Sequence, residues 1–186
     1  MIHPTAEEQT VQIETMEDLL EDQLREIYGA ERQFAAELPK LIWQTTSLSL
    51  RLALSDQFQE TERQIDRLGE AFAALGKPPR GAYCPGIQSF LDEADRAARR
   101  GGRGVFLDAA TVASAQRVAR YAMATYSRAI AYAKLLGQRT VADLLTDSLQ
   151  EERTTIETLG RLDEPVAAPV ESSDIRLHQG PILRQA

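Results

Sequence analysis

At 186 residues, 43% hydrophobic, 26% charged and with a formal net charge of -7, the chain has the size and make-up of one soluble globular domain. The acidic balance argues against nucleic acid as the main partner, because phosphate binding needs a basic surface. The single cysteine, Cys84, excludes an internal disulfide; without an N-terminal apolar segment or an apolar run near the ~18 residues of a membrane span, the cytoplasm is the expected compartment and no membrane the expected partner.

Residues 1–13 have no clean period and read as an N-terminal arm. Thr15, followed by Glu17 and Asp18, has the pattern of an N-cap with acids in the first turn. The first long helix then runs to about Thr45 along the seam Leu20, Leu24, Ile27, Glu31, Phe34, Leu38 and Ile42, whose spacings of three and four mark a buried helical face. Pro39 predicts a kink or break near Leu38. Thr45, Thr46 and Ser47 make the turn.

The second long helix covers about Leu48 to Leu75, with a seam of Leu54, Phe58, Thr61 or Glu62, Ile65, Leu68, Phe72 and Leu75. Gly76 is placed as a C-cap residue, and Lys77-Pro78-Pro79 ends the helix. A crossover follows in which Ile87, Phe90, Leu91 and Ala94 predict a short amphipathic helix ending at the Arg/Gly run that begins at Arg99. The third long helix spans about Phe106 to Leu136, carries a stripe of small residues (Ala115, Ala119, Ala122, Ala129, Ala133) broken by Tyr126, and stops at Gly137. The fourth runs from about Thr140 to Leu162 with the seam Leu145, Leu149, Glu152, Ile156 and Leu159. Pro165 is expected to close the fold, so the chain divides into the arm, a helical domain over 14–163 and a flexible C-terminal tail over 164–186.

Four long helices, with a crossover of about 30 residues between the second and third, predict an all-α, ferritin-like antiparallel four-helix bundle with a short extra helix in the crossover. Charge is spread unevenly along it. Residues 1–31 hold nine acids against one base, Arg25, whereas the segment from Arg96 to Arg139 holds nine bases against one acid, Asp108. Such segments attract if adjacent, which favours contact between the first and third long helices.

Chemistry would gather at the acids that interrupt the apolar seams. A carboxylate centred on a buried seam costs several kcal/mol if ionised and unpaired, so Glu31 needs a metal, a cation or a proton. Glu62 and Glu152 lie on or beside seams at comparable depth, with Glu60 and Glu151 flanking them. Oxygen-rich ligands suit iron or manganese. The sequence, however, places its only histidines, His3 and His178, in the arm and the tail, has no Glu-x-x-His, and has no Asp, Glu, His or Cys between Asp108 and Asp143. Arg117 and Arg120 on the third long helix are therefore expected to supply the cation in place of a metal. Cys84, beside Pro85 at the start of the crossover, reads as packing.

Several stretches in order carry a resemblance: Tyr28-Gly29-Ala30-Glu31-Arg32-Gln33 with Leu38-Pro39-Lys40-Leu41, Glu60 to Leu68, Cys84 seven residues before Leu91, Ala115-Gln116-Arg117-Val118 with Tyr121 and Tyr126, and Leu144-Leu145 with Leu149-Gln150-Glu151-Glu152. Over about residues 15–162 the chain resembles the YciE/YciF family of bacterial ferritin-like proteins, which are associated with stress responses. The resemblance implies a four-helix bundle, usually a dimer, built like di-iron proteins. It puts the family's helix 1 glutamate at Glu31 and its fourth-helix acids at Glu151 and Glu152. Where members can carry a Glu and a His on the second helix, this chain has Gln57-Phe58-Gln59-Glu60-Thr61-Glu62. Where they can carry Glu-His-Tyr-Glu on the third, it has Ala119-Arg120-Tyr121-Ala122.

The expected function is thus that of a ferritin-like, stress-related homodimer with a degenerate di-metal site, no cofactor and a structural or interaction role. The alternative is a carboxylate-only iron or manganese protein with oxidase or peroxide-handling activity. A further protein partner would engage the tail through Arg176, Leu177, Ile182 and Leu183.

Overall fold

The computed structural model describes residues 13–100 and 104–167, with side chains up to 162. The arm, the tail with its anchors, His3 and His178 lie outside the described residues. Five helices and no strand occur in the described part: α1 (Met16–Gln44), α2 (Leu48–Ala74), α3 (Pro85–Arg99), α4 (Val105–Leu135) and α5 (Arg139–Ala167). None is long and apolar enough to cross a membrane.

The ends of the helices follow from local chemistry. The Thr15 hydroxyl accepts from the Asp18 amide at 3.1 Å while the Asp18 carboxylate accepts from the Thr15 amide at 3.0 Å, a reciprocal capping box that starts α1. α1 then continues unbroken through Pro39, so the expected break is absent. The tertiary packing of Leu38 and Leu41 on either side holds the turn that proline weakens. The Ser47 hydroxyl caps α2 through the Leu50 amide at 3.3 Å. Gly76 takes φ 68° just beyond α2, the left-handed conformation a helix stop requires. α5 runs past Pro165 to Ala167 rather than ending at Leu162.

Asp108, the one acid of the basic segment, has a structural use. Its carboxylate accepts from the Thr46 amide (2.9 Å), the Thr46 hydroxyl (2.7 Å) and the Ser47 amide (2.8 Å), which pins the α1–α2 turn to the first turn of α4.

The four long helices touch in a ring, α1 on α2, α2 on α5, α5 on α4 and α4 on α1, while α3 lies against α4 and α1. α1 and α4 do pack together, but no ion pair joins them among the described residues; one polar link between them is the Tyr121 hydroxyl donating to Glu26. The chain returning from α2 is strapped to α1, with the Ala82 amide bonded to the Arg25 carbonyl at 2.9 Å. That approach requires Gly29, because a Cβ there would fall on the Ala82 carbonyl oxygen.

The core has two apolar halves. One gathers Leu20, Leu24, Ile27, Leu68, Phe72 and Leu145; the other gathers Phe34, Leu38, Leu50, Leu54, Ile87 and Leu159. The residues that separate them in sequence along three of the helices are polar: Glu31 on α1, Gln57, Thr61 and Gln64 on α2, and Glu152 and Thr155 on α5.

A buried carboxylate pair in a polar layer

α1 buries the line Leu20, Leu24, Ile27, Glu31, Phe34 and Leu38, so Glu31 is carried into the core by its neighbours and is 3% exposed. α5 does the same for Glu152, flanked by Leu145, Leu149 and Leu159 and 4% exposed. Burial pushes the Glu31 carboxyl up to about 7, against the pull of the nearby Tyr126 hydroxyl, and the negative charge of Glu151 adds to the rise. Glu152 is raised well above the carboxylate range, first by burial and then by the charge of Glu31; the Gln64 amide offsets this in part. Two buried carboxyls that raise one another favour holding a proton over carrying two charges.

Tyr126, from α4, closes the layer. Its ring is fully buried, and burial first, then Glu31 and Glu152, hold its hydroxyl in the protonated form. Among the described residues the hydroxyl meets no hydrogen-bond partner, nor do Glu31 Oε1, Gln64 Oε1 or either side-chain polar atom of Gln57.

Glu151 lies at the rim and is neutralised differently. Burial pushes it up, but two Arg67 nitrogens at 3.0 Å each, with Gln64 Nε2 at 3.2 Å, bring it below its ordinary value. Arg67 Nη1 also donates to Ser148 at 2.7 Å, which fixes the guanidinium against α5. Glu60, half-buried, is raised by burial and accepts from the Thr155 hydroxyl at 3.2 Å.

The layer corrects three expectations. Glu62 does not join it. The buried line of α2 is Leu50, Leu54, Gln57, Thr61, Gln64, Leu68 and Ala71, which turns Glu62 to the surface in a cleft with Arg32, Phe58 and Ile65. Arg117 and Arg120 do not face the carboxylates either. The alanine stripe of α4 points inward, which leaves Arg117 exposed and paired with Glu93 of α3, and Arg120 exposed and bonded to Gln116 at 3.1 Å. The cation beside Glu151 is Arg67, a residue the sequence reading did not single out. Its one sequence signal is the 60–64–67 spacing, which puts it on the same edge of α2 as Glu60 and Gln64.

A two-metal carboxylate centre takes one Glu from each of two helices and Glu-x-x-His from each of the other two. Here α1 offers Glu31 and α5 offers Glu152 followed three residues later by Thr155. The inward positions of α2 at that spacing are Thr61 and Gln64, and α4 offers Tyr126 among alanines. The spare acid, Glu151, is held by Arg67. Among the described residues no group of three or more His, Cys, Asp or Glu is placed to hold a metal ion. This donor set does not fit a two-metal centre.

The chain is 30% identical over 144 residues to protein YciF of Escherichia coli K12, covering 77% of this chain and 87% of that protein. Among solved structures it is similar to the E. coli stress protein YciF (TM-score 0.79, 29% identity, 83% of this chain and 98% of that one). It is also similar to YcfI of Rhodopseudomonas palustris, for which a structural role has been suggested (TM-score 0.77, 41% identity, 82% and 96%). The family described as a domain of unknown function, DUF892, matches residues 15–168. The chain therefore belongs to the DUF892 family, the family of YciF.

Proposed function

We propose that this chain is a ferritin-like four-helix bundle, with α3 in the crossover, whose di-metal site has become a proton-neutralised polar layer, and that it serves in the cytoplasm as a non-catalytic structural or interaction protein of the stress response. The observation that carries this reading is the composition of the layer. Two facing carboxyls remain, four of the six ligand positions hold neutral groups or alanine, and the rim acid is tied to Arg67. A site so built keeps the polar shape of a metal centre without the charge to hold two cations.

The reading includes a homodimer formed through α1 and α2. Trp43 is 83% exposed and sits beside a cleft with Pro39, Ile42, Arg51 and Phe58, and Leu48 and Leu52 are also uncovered. Large apolar side chains grouped in this way mark a contact surface. Trp43→Glu is expected to halve the mass measured by sedimentation; an unchanged mass contradicts this face.

The test of the main reading is metal analysis of protein grown with ample iron and manganese and purified without a tag or chelator. The expected content is far below one metal per chain. One or two per chain would overturn it and favour an iron or manganese protein.

A further inference from the structure

An apolar hollow opens at the end of the bundle where α2 and α4 begin and α5 runs out. It has a volume of about 390 Å³, with Leu50 of α2, Val105 and Val112 of α4 and Leu162 of α5 among its walls. The polar residues Thr46, Ser47 and Asp108 beside them are occupied with one another. Asp108 accepts three hydrogen bonds from Thr46 and Ser47, and the Ser47 hydroxyl accepts from the Leu50 amide. The hollow therefore suits an apolar occupant that brings no hydrogen-bonding group of its own. Its volume is that of roughly thirteen waters, room for two four-carbon side chains. At the mouth Val105 is 51% exposed, and its neighbour Phe106 and Leu48 of α2 are 71% and 68% exposed. Uncovered apolar side chains around an apolar recess mark a docking surface.

The course of the chain points to the occupant. Leu162 lines the hollow, and α5 ends at Ala167, roughly 8 Å farther along its axis at 1.5 Å per residue. The sequence continues from there with residues 168–186, which lie outside the described part. Eight residues lead from Ala167 to Ile175, and eight extended residues span up to about 26 Å, ample to turn back over the hollow. A tether this short favours the chain's own segment over a free partner. Charge favours the same segment. Arg161 is exposed beside Leu162, and the acids Glu171 and Asp174 precede the apolar pair Ile175 and Leu177.

We infer that the chain's own tail closes this end of the bundle, with residues 175–177 laid across the mouth and Ile175 and Leu177 seated in the hollow. In an extended segment alternate residues share a side, so these two enter together while Asp174 turns out toward Arg161. The later apolar pair, Ile182 and Leu183, is adjacent in sequence and would point to opposite sides, which fits one hollow less well. Docked in this way, the tail covers Val105 and Phe106 at the start of α4. The inference depends neither on the metal content of the carboxylate layer nor on the dimer face along α1 and α2.

The test is methyl NMR of the full-length protein labelled at isoleucine, leucine and valine. Nuclear Overhauser cross-peaks are expected from the methyls of Ile175 and Leu177 to those of Leu50 and Val112. A mixture of two differently labelled batches separates contacts within one chain from contacts between copies, and the expected cross-peaks are those within one chain. Amide exchange supplies a second readout. The Leu107 and Asp108 amides bond to the Gly104 carbonyl at 3.1 and 3.0 Å in the first turn of α4, beneath the docked segment. In full-length Leu177→Glu they should exchange about tenfold faster than in wild type. If that variant does not fold, the cross-peaks of the wild-type protein decide alone. Absence of the cross-peaks, cross-peaks only between copies, or exchange unchanged in a folded Leu177→Glu would each overturn the inference.

Discussion

Arg67 of α2 grips Glu151 of α5 with two nitrogens, each 3.0 Å from a carboxylate oxygen, and the same guanidinium reaches Ser148 at 2.7 Å. The fork satisfies the acid at the rim of the layer, while among the described residues no ion pair reaches the deeper pair, Glu31 and Glu152. That division explains how three acids can stand close together, two in the core and one at its rim. Glu151 is paired outward, and the raised carboxyls of Glu31 and Glu152 favour holding a proton over carrying two charges.

Arg67→Ala should therefore be destabilising by about 2 kcal/mol in denaturant titration, because it leaves a half-buried carboxylate without its partner. Adding Glu151→Gln to that variant should restore most of the loss. If the double variant is as weak as the single, the pair is not what holds α2 to α5 at this point.

Glu31 gives the protein a pH-dependent stability. Its carboxyl is near 7 when folded, against an ordinary value of 4.5. Between those values the unfolded chain has released the proton and the folded chain keeps it, so stability falls as pH rises through this window and levels off above it. The span corresponds to a contribution on the order of 3 kcal/mol. Glu31→Gln, which cannot ionise, should be progressively more stable than wild type from pH 5 to pH 8. A difference that does not change with pH would contradict the assignment.

Gly29→Val should loosen the crossover, since its side chain would occupy the place of the Ala82 carbonyl. A loss of about 2 kcal/mol or more is expected, together with faster amide exchange at Ala82, whose bond to Arg25 would break. Unchanged stability and exchange would mean the strap is held elsewhere.

The apolar seams of α1 and α5 were legible because each helix buries a narrow stripe of leucines, and the two acids that interrupt those stripes, Glu31 and Glu152, are the ones found at the centre. α2 was ambiguous. Phe58 and Ile65 are apolar but half-buried toward the α1 cleft, and they leave the expected seam undecided between Thr61 and Glu62, of which only Thr61 is buried. The neutral polar members, Gln57 and Gln64, carry no sequence signal of burial, because glutamine is mostly found on surfaces. Arginine was misread for a related reason. Its reach made Arg117 and Arg120 seem able to turn inward, whereas the direction of the Cα–Cβ bond sends both outward and Arg67 along the α5 face. The contact between Gly29 and Ala82 depends on where a crossover falls, which no local pattern specifies.

On the proposed reading a proton, and not a metal or an arginine, neutralises the buried pair. That reading is tested most directly by titrating the side-chain carboxyl carbons of glutamate by ¹³C NMR, with Glu31→Gln used to assign the Glu31 signal. A Glu31 carboxyl that changes state near pH 7 is the predicted result. A Glu31 signal already fully ionised at pH 5 would contradict the account.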